Sequence, residues 1–182
     1  LTNSRSRISK KNRQMNRENI STALLFIGLI LLQVIVLNNI NFLGYINPLY
    51  YIWFVFLYPV RKDDASILVL SFLLGLIIDM FADSGGINAA ATLLIAFIRI
   101  PVLQSVLGKR ELDYATMNIF KLPFSKLLAY VVILTTIHHF AVFGMEYFKW
   151  SKFGTILLNT VLTSIFTIIL TLISFTFVMR KR

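Results

Sequence analysis

The sequence contains no cysteine, two histidines and few charged residues. Without cysteine, the 182-residue chain has no disulfides, no thiolate metal ligands and no cysteine nucleophile. Charged residues make up 14% of the chain and hydrophobic residues 57%, whereas about a quarter of a soluble domain is charged. This composition excludes a water-soluble globule, and the 16 Phe and 7 Tyr exclude a disordered chain.

The common catalytic motifs are also absent from the sequence, which has no Gly-x-Ser-x-Gly, no His-Glu-x-x-His and no glycine-rich phosphate loop. His138 and His139 are adjacent on a predicted helix and point about 100° apart. Because no third ligand accompanies them, we expect no zinc, no haem and no other cofactor, and the two histidines are expected to bond between helices. We predict that the protein is not an enzyme. An intramembrane hydrolase or lipid-modifying enzyme, dependent on His138, His139 or Asp83, is the contrasting hypothesis.

Long apolar runs occupy most of the chain. A spanning helix needs about 20 apolar residues to cross about 30 Å of hydrocarbon, and the runs 20–37, 65–82, 87–107, 127–148 and 153–179 meet this need. A sixth run, 48–60, begins after Asn47-Pro48, residue types typical of a helix N-cap and first helical position. It reaches only about 20 Å as a helix. It is therefore either a short helix or a crossing whose outer third is irregular.

The basic residues favour six crossings with both termini in the cytoplasm. With six spans, fifteen of the 18 Lys and Arg fall on the inner side. Lys149 and Lys152 fall outside, and Arg99 lies within a helix. Five crossings would remove this inside bias, which sets membrane topology. We therefore predict an all-α, polytopic membrane protein, whose formal charge of +10 reports orientation and not a nucleic-acid partner.

The first 14 residues differ from the rest of the chain because they are polar, basic and without apolar periodicity. We expect natural translation to begin at Met15, which leaves 15–182 as a single six-helix membrane domain. The alternative is that 1–14 is a genuine basic tail lying on anionic lipid.

Asp79 and Arg99 are charged residues within the predicted spans, where each is costly. Asp79 is about one turn from the outer end of its span, and Arg99 comes two residues before Pro101 in the next span. The Gly85-Gly86 turn makes these helices neighbours, although the two residues differ in depth by about 9 Å. One hypothesis is a buried Asp79–Arg99 pair that lines a pocket or partner site. The other is separate roles, with Asp79 wetted near the surface and Arg99 bound by carbonyls freed at Pro101.

An asparagine-rich loop follows the first span. If the second helix is short, this loop dips below the headgroups, where irregular backbone must be covered by protein or trapped water. Asp83 lies at i+4 from Asp79, on the same helix face, and Asn88 opens the next helix. These features predict an outward-facing polar hollow, lined by Asn38, Asn41, Asn47, Asp79, Asp83 and Asn88. The alternative is a solvated loop with Asx turns.

Hydroxyl residues form a stripe along the last span. Its members recur every three or four residues and include Thr160, Ser164, Thr167, Thr171 and Ser174. Small residues let helix backbones approach each other, and their hydrogen bonds contribute about 0.6 kcal/mol each. The stripe faces either a partner's transmembrane helix or the interior of the bundle.

The segments LLQVIVLNNINFLGYINPLYYIWFVFLYPV (31–60) and GLIIDMFADSGGINAAATLLIAFIRIPVL (75–103) carry the most specific features of the sequence. These features are Asn47-Pro48, Gly75 with Asp79, and the Gly85-Gly86 turn followed by Asn88. Together they resemble the MreD family of rod shape-determining proteins, in its Bacteroidota-like form. The resemblance covers residues 15 to about 179 and includes the length and the six-span layout; the extension 1–14 departs from it.

The resemblance implies a membrane scaffold of the bacterial cell-elongation (rod) machinery, which regulates cell shape and lateral-wall peptidoglycan synthesis. The implied partners are MreC and, indirectly, the MreB filament, the SEDS glycosyltransferase RodA and a penicillin-binding transpeptidase, besides the lipids of the cytoplasmic membrane. It also implies kinship with the substrate-binding subunits of energy-coupling-factor transporters. A small-solute-binding transporter subunit that uses the polar hollow is therefore the alternative function.

Overall fold

The structure, a computed structural model, describes residues 19–40, 47–60, 65–108 and 117–180. Every regular element in these ranges is helical. The long helices and the short α2 are α1 (Asn19–Asn39), α2 (Trp53–Leu57), α3 (Ser66–Ala82), α4 (Ile87–Leu107), α5 (Phe124–Tyr147) and α6 (Phe153–Arg180). The last eight residues of α1 are a π-helical stretch and a 3₁₀ turn. The extension 1–14 and Asn41 lie outside the described residues.

Four of these helices, α1, α4, α5 and α6, are long and apolar enough to cross a membrane. The all-helical membrane-type fold expected from the sequence is thereby confirmed in its general form. Helix α3 is equally apolar but has 17 residues, which extend about 25 Å. Helix α2 has only five residues, so most of the run 48–60 is not α-helical.

The shortest helix lies at the centre of the bundle. A 3₁₀ turn, Tyr50–Ile52, leads into α2, and the side chains on all its sides are buried because the sequence there is apolar all round. The rings packed against it come from three other helices: Phe26 of α1, Tyr130 of α5 and Phe175 of α6. The longer helices therefore surround α2.

The segment 47–60 runs beside α1 in the opposite direction. Its first part lies at Gln33, whose side chain bonds to the carbonyl of Pro48. Its last part borders a cavity of about 600 Å³ that is lined by Asn19 at the start of α1 and by Pro59. Gln33 is six residues before the end of α1, so Pro48 lies about 9 Å inside that end. The irregular chain before α2 thus reaches into the depth of the bundle.

Glycines bring α3 and α4 together. Gly85 and Gly86 form the turn between them, and both have positive φ angles, 64° and 96°, which glycine adopts without steric cost. In the middle of α3, a Cβ on Gly75 would lie 2.5 Å from the Cα of Ala89 and 2.5 Å from the carbonyl oxygen of Asn88. Only a residue without a side chain permits this contact between the two backbones.

Candidate functional site: the buried polar residues around α2

Asp79 holds the start of α4. Its Oδ1 accepts hydrogen bonds from the Asn88 backbone amide (2.9 Å), the Asn88 side chain (3.0 Å) and the Ser84 hydroxyl (2.5 Å), and its Oδ2 accepts one from the Ala89 amide (2.8 Å). The first amides of a helix have no partner within the helix and carry a partial positive charge, so a carboxylate there is stabilising. Asp79 is 4% exposed and is fully engaged within its own hairpin.

The network continues from Asn88 to the centre of the bundle. The Asn88 Oδ1 accepts a hydrogen bond of 2.8 Å from the hydroxyl of Tyr51, which lies 3.1 Å from Nε2 of His138. Thr92 donates to the Asn88 carbonyl at 2.6 Å and lies 3.5 Å from the Tyr51 hydroxyl. A continuous chain of buried hydrogen bonds therefore joins α3, α4, the 3₁₀ turn before α2, and α5.

The two histidines bond in different directions. Nδ1 of His139 lies 2.8 Å from the Thr135 carbonyl, which can only accept, so this nitrogen carries the proton. Its Nε2 lies 3.2 Å from the Thr167 hydroxyl of α6. Nδ1 of His138 is buried and has no hydrogen-bond partner among the residues that the structure describes. Within the described ranges, no three His, Asp or Glu side chains are placed to hold a metal ion.

Gln33 of α1 holds the beginning of the helical segment around α2. Its Oε1 accepts from the backbone amides of Tyr50 (2.9 Å) and Tyr51 (3.2 Å), and its Nε2 donates to the Pro48 carbonyl (3.0 Å). Gln33 lies in a π-helical stretch, Leu32–Val36, and is completely buried. The sequence predicted a helix start at Asn47-Pro48, but the helical segment begins at Tyr50, with Leu49 at the N-cap position. The first two amides of the segment bond to the distant side chain of Gln33.

Arg99 of α4 holds the other end of α2. Its Nη1 donates to the carbonyls of Val55 (3.0 Å) and Tyr58 (3.2 Å), and its Nη2 to that of Pro59 (2.7 Å). The guanidinium also lies 5.6 Å from the centre of the Tyr58 ring. Arg99 is 1% exposed, and its charge is stabilised by carbonyls at a helix C-terminus, where cations are favoured.

These contacts place Asp79 and Arg99 in separate networks. Asp79 bonds to backbone amides at the start of α4, and Arg99 bonds to carbonyls at the end of α2. The expectation that carbonyls satisfy Arg99 therefore has a structural counterpart. The carbonyls are those of Val55 in α2 and of Tyr58 and Pro59 just after it, whereas the expected ones were those freed at Pro101. Asp79 was expected to be wetted near the surface, whereas its side chain is buried in the structure.

The other residues of the predicted polar hollow do not form a single lining. Asn38 accepts a hydrogen bond of 2.9 Å from Nε2 of Gln33, and Asn47 is half-buried. Asp83 does not share a helix face with Asp79, because α3 ends at Ala82 and Asp83 is exposed with a left-handed φ of 53°. The i+4 expectation was wrong at this point because the helix had already stopped.

The hydroxyl stripe of α6 faces the bundle interior. Four of its residues are buried: Thr160, Ser164, Thr167 and Thr171. The fifth, Ser174, accepts a hydrogen bond of 2.5 Å from the Tyr50 hydroxyl. The opposite face of α6 exposes large apolar side chains, among them Val161, Ile165 and Ile169. Of the two expected orientations, internal packing is the observed one.

Sequence reasoning missed Gln33 and Tyr51 as members of the site. Gln33 was visible as an amide within an apolar run, and a buried amide must find partners. Tyr51 carried no such signal, since a tyrosine in an apolar segment is equally typical of packing and of hydrogen bonding. Comparison of the chain with models of protein families, with curated proteins and with solved structures finds no match in any of the three.

Proposed function

We propose that this chain is a six-span protein of the bacterial cytoplasmic membrane and a non-enzymatic scaffold of the cell-elongation machinery, as the resemblance to the MreD family implies. The observation that carries the proposal is that the carboxylate of Asp79 accepts four hydrogen bonds from residues of its own hairpin. A carboxylate engaged in joining two helices is suited to architecture, whereas a transport or relay site needs a carboxylate that can exchange partners.

The contacts of the segment 47–60 support the second of the six crossings. This segment passes from the level of Gln33 in α1 to the start of that helix. Its irregular ends are held by Gln33 on one side and by Arg99 on the other. Irregular backbone is tolerated at membrane depth where protein covers it and supplies hydrogen bonds. With this crossing, the lysines and arginines are distributed as the inside bias requires.

Cysteine labelling tests the six-span layout, and the absence of native cysteine leaves no background. Single cysteines on the outer side should react with a membrane-impermeant maleimide in intact cells, and those on the inner side should react only after lysis. The outer set replaces Asn41, Ser84 and Ser151, and the inner set replaces Asp64 and Thr116. Labelling of both sets from outside, or of neither, would contradict the layout.

Depletion and co-purification test the scaffold function. In a rod-shaped host with no second copy, depletion should make cells round or swollen, which the ratio of cell length to width measures. The affinity-tagged chain should recover MreC from detergent-solubilised membranes, together with smaller amounts of MreB, RodA and the transpeptidase. Normal rods after complete depletion would overturn the proposal.

Two acidic residues at one turn supply a matched pair of variants. Asp79→Asn removes a buried charge that holds the start of α4, so it should reduce both rod shape and recovery of MreC. Asp83→Asn removes a charge at an exposed residue in a left-handed conformation that asparagine tolerates. It should support normal rods. Equal behaviour of the two variants would contradict a role for the Asp79 network.

One observation favours the alternative of a small-solute-binding subunit: the buried Nδ1 of His138 has no hydrogen-bond partner in the described part of the chain. A bound solute would satisfy this nitrogen, and it would raise the thermal stability of the purified protein by mass action. Thermal unfolding of the purified protein with a panel of vitamins and metal ions tests for such a solute. Stabilisation that is lost in His138→Phe would favour the alternative, and no shift across the panel would favour the scaffold.

A further inference from the structure

A groove opens between the end of α5 and the beginning of α6. Its volume is about 450 Å³, within the range of about 300–1,000 Å³ that is typical of ligand sites. Its walls are formed by Phe140, Gly144, Phe148, Lys149, Phe153 and Ile156. Of these side chains, only that of Lys149 is polar. The groove therefore combines an apolar wall with a single cation at one end.

The floor of the groove exists because residue 144 has no side chain. Phe140 and Gly144 lie four residues apart on one side of α5. Phe148 follows the last residue of the helix and also lines the groove. A Cβ added to Gly144 would meet no atom of the described residues within 4 Å. On α5 the groove extends about 10 Å, from the level of Phe140 to the end of the helix at Tyr147.

Phe148 forms the rim of the groove in an unfavourable conformation. Its φ angle is 35°, in the left-handed region that glycine normally occupies after a helix. Its amide still bonds to the Gly144 carbonyl at 3.1 Å, and its side chain is 87% exposed. Backbone strain of this kind persists where the surroundings impose it and often marks binding sites. Here it holds an aromatic ring beside the groove and Lys149.

We propose that this groove binds an anionic phospholipid, with an acyl chain along the phenylalanines and the headgroup at Lys149. A ligand for an apolar wall with one cation needs an apolar body and one negative end, which is the chemistry of such a lipid. Lysine near the end of a membrane helix places its ammonium at the headgroup level while its stem lies on apolar surface. A partner's spanning helix would pack along about 30 Å, much more than the length of this groove.

Native mass spectrometry of the full chain in detergent tests the proposal, with palmitoyl-oleoyl phosphatidylglycerol and palmitoyl-oleoyl phosphatidylcholine as probes. The wild type should retain phosphatidylglycerol preferentially. Gly144→Leu should abolish retention, because its side chain enters the groove at a position where an added Cβ meets no described atom within 4 Å. Lys149→Gln should reduce the preference for phosphatidylglycerol about fivefold, the effect of one lysine at an anionic surface.

Two substitutions elsewhere provide matched controls. Gly28→Leu fills an equally open position on α1, outside the groove, and Lys152→Gln removes a cation three residues from Lys149. Both should retain phosphatidylglycerol as the wild type does. Equal retention of the two lipids by the wild type would overturn the proposal, and so would unchanged retention in Gly144→Leu. If Gly144→Leu loses MreC and keeps the lipid, the groove is a protein contact and the proposal is wrong.

Discussion

The α3–α4 hairpin and the α5–α6 pair both bury polar side chains, but they use them differently. At the turn between α3 and α4, Asp79, Ser84 and Asn88 bond to one another and to the first amides of α4. Between α5 and α6, several buried hydroxyls have no partner among the described residues: those of Thr135, Thr160, Ser164 and Thr171. One pair of helices is joined by specific hydrogen bonds, and the other is joined mainly by close packing of small side chains.

The difference follows from where the polar residues lie along their helices. The first amides of a helix have no partner within it, so Asp79 finds donors at the start of α4. In the middle of α5 and α6 the backbone groups already bond within the helix, and a hydroxyl gains little there. Gln33 and Arg99 obey the same rule, since each bonds to one end of the helical segment around α2. Polar side chains stabilise this bundle chiefly where a helix begins or ends.

The largest expected effects come from removing the polar group at each helix end. Asp79→Leu should lower the free energy of unfolding by about 1–3 kcal/mol for each orphaned amide, those of Asn88 and Ala89. Arg99→Met should produce a loss of similar size, because the carbonyls at the end of α2 lose a donor. Unfolding in mixed detergent micelles, followed by far-ultraviolet circular dichroism, provides both values.

The double variant shows whether Asp79 and Arg99 interact. Since the two residues bond to different helix ends, their losses should add to within about 0.5 kcal/mol. A coupling well above that value, or rescue by exchanging the two charges, would indicate a direct pair and contradict the separation of the two networks. Asp83→Asn is the control for loss of a charge at the same turn.

Gly75→Ala tests the contact between α3 and α4 independently of hydrogen bonds. The added methyl group meets backbone atoms at 2.5 Å, which cannot move aside as a side chain would. We expect a loss of about 3 kcal/mol, the upper part of the range for overpacking. Gly28→Ala, in open space on α1, should instead raise stability by about 0.5–1 kcal/mol. If both variants are equally stable in thermal unfolding, the two backbones do not touch.

The smallest effects should come from α6. Thr171→Val removes a hydroxyl that has no partner among the described residues, and it keeps the shape of the side chain. Stability should therefore change by less than about 0.6 kcal/mol. Thr167→Val should cost about 0.6 kcal/mol, because the hydroxyl of Thr167 lies 3.2 Å from His139. The same unfolding assay compares the two variants. A large loss of stability in Thr171→Val would contradict the view that hydroxyl hydrogen bonds contribute little between α5 and α6.

The apolar runs predicted the long helices well, because a lipid solvent leaves the backbone few alternatives to the helix. The predicted runs 87–107 and 153–179 correspond to α4 and α6, Ile87–Leu107 and Phe153–Arg180. The run 48–60 was harder to interpret. Asn47-Pro48 predicted a local cap, but the amide that caps the segment is Gln33, which precedes Tyr50 by 17 residues. No local pattern reports an acceptor so distant along the chain.

The sequence predicted several residues of the candidate site, but it did not predict which groups they bond to. Asp79, Asn88 and Arg99 stand out in the sequence because charges and amides are costly in lipid. The hydrogen-bond partners of these residues could not be predicted. Their relative depth along two helices does not say which helix ends lie close to them. Asp83 was misplaced because the end of α3 at Ala82 depends on the geometry of the following Gly85-Gly86 turn.

The sequence by itself determined that this protein is helical and suited to a membrane, since hydrophobicity and length act locally and need no knowledge of neighbours. It also determined which polar residues require an explanation. Only the tertiary structure decided that α2 lies at the centre, that Gln33 and Arg99 hold its two ends, and that Asp79 holds the start of α4. The physical reason is that an unpaired backbone group at a helix end bonds to whichever side chain packing brings near, and packing depends on the whole chain.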